Sequence, residues 1–139
     1  MDYDRTMKVI EEAERLQLEG LELLEYVSEE EAAREYNGIG PEYLPPEIRA
    51  KVTKFVGLFE PAALIHDLRN YLSDGEVVRF DHANLEFLRN CRKCANDRYP
   101  WWSWKRWRAR AVAKMMFDFV SSEFGWRAWM DCYNKTINQ

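Results

Sequence analysis

Apolar residues recur through most of this chain at steps of three and four, the repeat of an α-helix, and that spacing restricts the fold more than any other feature. Met7, Ile10, Ala13, Leu16 or Leu18, Leu21, Leu24 and Val27 form one such series. It predicts a single amphipathic helix over 3–27, with Gly20 as a point of bend or break, because glycine costs a helix interior about 1 kcal/mol relative to alanine. Ser28 followed by Glu31 reads as a capping box opening a second helix over 29–36. Asn37 and Gly38 end it, and Gly38-Ile39-Gly40-Pro41 with Pro45-Pro46 makes an irregular loop before a short helix over 47–56. A buried helix is expected over 60–71 and another over 81–94, the latter capped by Asp81 and carrying Ala83, Phe87, Leu88 and Cys91 on its apolar face. Between them Ser73-Asp74-Gly75 breaks the chain, and 76–80 reads as a small strand or extended segment. Pro100 opens a Trp/Arg-rich helix over 101–124, Gly125 interrupts it, and 126–133 adds a final turn or two.

These segments predict an all-α fold: an N-terminal amphipathic helix, an antiparallel helix pair made by 60–71 and 81–94, a C-terminal helix, and at most a small β element. At 139 residues, 47% hydrophobic and 32% charged, the chain fits one domain, an N-terminal helical segment 1–36 joined to a core 37–139, and its composition excludes collagen-like and disordered classes. No apolar run reaches the ~18 residues of a transmembrane helix, and the acidic N-terminus is unlike a secretion leader. An intracellular protein, or one carried in a virion, is therefore expected. Cys91, Cys94 and Cys132 are an odd count without a disulfide framework's spacing, so reduced thiols are expected.

Charge is split along the chain. Residues 1–60 hold 7 Lys+Arg against 15 Asp+Glu, whereas 89–114 hold nine cations against Asp97 alone. The basic stretch also carries four of the six tryptophans. Trp101, Trp104, Arg108, Ala111, Met115 and Phe119 step by three or four, as do Trp104, Trp107, Ala111 and Met115, so core packing of the indoles is the expectation. The functional alternative is a surface for phospholipid or a membrane, with indoles at headgroup depth and cations on phosphate. Nucleic acid is a poor partner for a chain of pI about 5.3.

Only two histidines exist, His66 and His82. His66 is followed by Asp67 in an apolar run, where a carboxylate needs pairing and an imidazole needs a partner to fix its tautomer. In a catalytic reading His66 is a general base activating water, Asp81 on the neighbouring helix orients it, and Asp67 ligates a hard cation. The alternative is a polar pair that caps and joins helices. Zinc held by His66, Asp67, Asp81 and His82 is a further possibility, while Cys91 and Cys94 form a C-x-x-C with no second ligand pair. Phosphate-binding glycine loops and the serine-hydrolase elbow are missing from the sequence.

The order Tyr36-Asn37-Gly38-Ile39-Gly40-Pro41, Glu60-Pro61-Ala62-Ala63-Leu64-Ile65-His66-Asp67 and Asp81 resembles secreted and bacterial phospholipases A₂, together with small phage and prophage proteins sharing the His-Asp pattern. The resemblance spans roughly 36–94. It implies a Ca²⁺-dependent lipid ester hydrolase in which His66 is the base, Asp81 its orienting carboxylate, and Asp67 with the carbonyls of Gly38 and Gly40 the metal site. Ala62 and Ala63 stand where the secreted enzymes have a cysteine pair, and Asn70 stands where the family has a tyrosine, with Tyr71 one place later. The rival function is a phage or prophage structural or accessory protein whose site has degenerated and which acts through contacts with other phage proteins.

Overall fold

The computed structural model describes residues 2–36 and 45–138, and the described residues are helical, without strands. Helix α1, Tyr3–Arg15, is capped by Asp2, whose carboxylate accepts from the Asp4 N–H. The single helix expected over 3–27 is not what forms. Gln17 (φ 52°) and Gly20 (φ 94°) both turn left-handed, and Leu21–Glu25 continues as a 3-10 turn. A side chain at Gly20 would also collide with its surroundings, since a Cβ there would lie 2.6 Å from Ile65 Cγ2 and 2.9 Å from Glu86 Oε1.

Helix α2, Glu29–Glu35, opens on the Ser28/Glu31 capping box read from the sequence. The glycine-containing segment 37–44 lies outside the described residues. Helix α3, Pro46–Val52, follows it. Helix α4, Val56–Tyr71, begins earlier than the expected residue 60 and runs through Pro61. Its inward residues Phe59, Ala62, Ala63, Leu64, Ile65 and Leu68 are buried. Helix α5, Val77–Arg98, packs along it after the link 72–76. The extended segment expected at 76–80 is helix instead. Glu76 is the cap, and Phe80 sits against Trp126 and Trp129 with ring centroids 5.2 and 6.0 Å away, which draws the first turn of α5 inward.

Helix α6, Trp104–Val120, starts later than expected because Ser103 caps it through the Lys105 N–H. Helix α7, Glu123–Ile137, contains Gly125 rather than being interrupted by it. A Cβ at Gly125 would fall 1.7 Å from the Val120 carbonyl oxygen, so only glycine allows α7 to turn back so tightly on the end of α6. One apolar cluster joins Val9 and Ala13 of α1, the inner faces of α4 and α5, and Ala109, Val112, Ala113 and Met116 of α6. No helix among the described residues is long and apolar enough to cross a membrane.

The α4/α5 pair is fastened by polar side chains inside its apolar contact. Glu86, with a side chain 3% exposed, accepts from Arg69 Nε at 3.0 Å and Nη2 at 2.8 Å, and the same Nη2 reaches Glu22 at 3.1 Å. A buried carboxylate demands such a partner, and the two-point guanidinium fork supplies it. Asn90, fully buried, exchanges two bonds of 2.9 Å with the backbone of Glu19. Arg89 bonds the Glu19 carboxylate at 2.6 Å and Lys93 the Gln17 carbonyl at 2.9 Å. One side of α5 thereby receives the bend between α1 and the 3-10 turn.

Candidate functional site

His66 lies in the last two turns of α4, half-buried, with its ring 4.9 Å from that of Phe87. Its Nε2 is 2.9 Å from Asn84 Oδ1. The orienting group is thus Asn84, and the expected bond to Asp81 does not form. The register of α5 explains the correction. Because the helix starts at Val77, Asp81 falls inside it on the exposed side, while Asn84, 2% exposed, points into the α4 contact.

Asn84 also fixes the tautomer. Its Nδ2 donates to the Val120 carbonyl over a long 3.4 Å, which leaves Oδ1 facing the imidazole. A carbonyl oxygen only accepts, so Nε2 carries the proton and Nδ1 keeps its lone pair. Among the described residues Nδ1 has no hydrogen-bond partner. Burial pushes the His66 pKa below the ordinary 6.5, against the opposing pulls of the Asn84 bond and the Glu86 charge. The ring is consequently neutral at neutral pH, and chemically it can take a proton from water.

Asp67 follows on the next position of α4. Its charge, after burial and Glu60, helps hold the Tyr36 phenol well above its usual range, and, far behind burial, adds a little to the raising of the Cys132 thiol of α7. Tyr36 is fully buried at the end of α2. Gly38 and Gly40 lie outside the described residues. A hard cation takes six to eight oxygens, and among the described residues no group of three or more His, Cys, Asp or Glu is placed to hold a metal. The donors that the resemblance supplies, one carboxylate and backbone carbonyls, are nonetheless of the hard type that suits Ca²⁺. The four-residue zinc set is not assembled, since Asp81 and His82 are both exposed on α5.

Tyr71 is committed elsewhere: its hydroxyl donates to Glu31 at 2.8 Å, tying the end of α4 to the capping box of α2. All three cysteines are free. Burial raises the Cys91 thiol well above its ordinary range and pushes Cys94 up to about 12, so neither is a nucleophile near neutrality.

The indoles overturn the packing expectation. Trp101, Trp102, Trp104 and Trp107 are 70%, 71%, 64% and 55% exposed. The buried stripe differs from the expected one: α6 buries Ala109, Val112, Ala113 and Met116, and the small side chains of Ala109, Val112 and Ala113 allow close approach to α5, whereas Ala111 faces solvent.

The described residues define an all-α protein with a histidine-amide pair between its two central helices. No family model, curated protein or solved structure matches the chain.

Proposed function

We propose that the protein is a phospholipase A₂-like lipid ester hydrolase with His66 as general base. The observation that carries the reading is the His66 ring itself: held at Nε2 by Asn84, neutral, without a hydrogen-bond partner at Nδ1 among the described residues, and next in sequence to Asp67. Water at Nδ1 would lose its proton to the ring as its oxygen attacks the ester carbonyl, and the imidazolium would then return the proton to the leaving alcohol. Asn84 positions the ring but, being neutral, stabilises the imidazolium less than a carboxylate does. Asp67 with the Gly38 and Gly40 carbonyls would hold Ca²⁺, whose contribution when bound is to neutralise charge developing on the carbonyl oxygen.

The test uses the full chain with phospholipid vesicles. Fatty acid release should require Ca²⁺ and be lost in His66→Gln and in Asp67→Asn, and Ca²⁺ should raise the melting temperature of the parent but not of Asp67→Asn. Intact lipid and an unmoved melting curve would contradict the proposal. A second reading, a phage or prophage accessory protein acting through protein contacts, draws its support from one observation: the group on His66 is an amide rather than a carboxylate.

A further inference from the structure

The corner between α5 and α6 places four exposed indoles within seven residues and surrounds them with cations. We propose that this corner, residues 98–114, is a docking surface for an anionic lipid bilayer. The indoles are held in place. Trp101 and Trp102 meet edge to face with centroids 5.9 Å apart, and Trp107 Nε1 donates to the Trp101 carbonyl at 3.1 Å. Such amphipathic rings fit the headgroup zone of a bilayer.

Charge specifies the kind of bilayer. Among the described residues Arg98, Lys105, Arg106, Arg108 and Arg110 make no ion pair, whereas Arg15, Arg69 and Arg89 elsewhere each hold a carboxylate. Cations without a carboxylate partner among the described residues, beside exposed indoles, complement lipid phosphate with net negative charge. Nucleic acid fits less well. Stacking of nucleic-acid bases needs open ring faces. Here Arg108 lies over Trp104 at 5.9 Å, and Arg110 and Arg106 lie over Trp107 at 5.3 and 5.9 Å.

The surface lies apart from His66 and its binding needs neither Ca²⁺ nor turnover, so it stands or fails separately from the hydrolase reading. The test is co-sedimentation of the full chain, without Ca²⁺, with vesicles of phosphatidylglycerol mixed into phosphatidylcholine and with phosphatidylcholine alone. Binding should be at least about tenfold stronger to the anionic vesicles and weaken in high salt, with a blue shift of tryptophan emission. Trp101→Ser with Trp102→Ser, and separately Lys105→Gln with Arg108→Gln, should each reduce it about tenfold while leaving the melting temperature unchanged, because all four side chains are exposed. No preference for anionic vesicles overturns the proposal. So does unchanged binding in both variants, tighter binding to single-stranded DNA than to vesicles, or a dimer that the tryptophan variant abolishes.

Discussion

Asn84 decides what His66 can do, and the reason is geometric. Its amide is oriented by Val120 on α6, and that orientation assigns the imidazole proton to Nε2. Replacing Asn84 with Asp should raise the His66 pKa, since a carboxylate stabilises the imidazolium, and should destabilise the fold by about 1–2 kcal/mol because an anion then opposes the Val120 carbonyl. A ¹⁵N NMR titration of the ring and a denaturant melt measure the two effects. The parent protein should also show the linkage of a depressed histidine. With the folded pKa below the unfolded value of 6.5, the unfolded chain takes up the proton first, so the contribution of His66 is complete above about pH 6.5 and is lost as pH falls through the folded pKa. His66→Gln should remove that component from a pH series of melting temperatures, leaving the acid loss due to Glu12, Glu19, Glu31 and Asp97, whose pKa values are lowered by their hydrogen-bond partners. His66 was visible in the sequence as a polar group in an apolar run. Asn84 was not, because an asparagine near a helix start has many uses and its register depended on where α5 begins.

At the scale of elements, the inward faces of α4 and α5 and the capping box of α2 were legible because each rests on local spacing. What escaped was set by tertiary contact. The break after Arg15 depends on Asn90 reaching across 71 positions to Glu19, and no pattern within 3–27 announces it. Glu86 carries a faint signal, a carboxylate at helical spacing from Ala83 and Asn90 on the buried face, but no local pattern pairs it with Arg69, 17 positions away on α4. Arg69→Met should therefore be costly: it leaves Glu86 buried and unpaired, about 3 kcal/mol, or roughly 10 °C in melting temperature, and Glu86→Gln in the same chain should recover part of the loss. Gly20→Ala should destabilise by about 2 kcal/mol, from its left-handed φ and the crowding against Ile65 and Glu86, measurable as a lower denaturant midpoint at unchanged slope.

Across the whole molecule, the charge split seen along the sequence becomes a spatial division. Glu12, Glu19, Glu22, Glu35 and Glu60 of the first half hold arginines of their own chain, while Arg98, Lys105, Arg106, Arg108 and Arg110 at the α5/α6 corner stay free of ion pairs among the described residues. Helical periodicity could not locate the indoles, because two overlapping stripes of α6 satisfy it equally and only the small residues of one permit close packing. We propose a neutral His66, without a hydrogen-bond partner at Nδ1 among the described residues, as the base of a lipid ester hydrolase. The most direct measurement of that role is the pH dependence of fatty acid release from phospholipid vesicles by the full chain in Ca²⁺, compared with His66→Gln. The rate should rise with pH through one ionisation lying below about 6.5, reach a plateau by neutrality, and vanish in His66→Gln. Release that persists in His66→Gln, or no release at any pH, would contradict it.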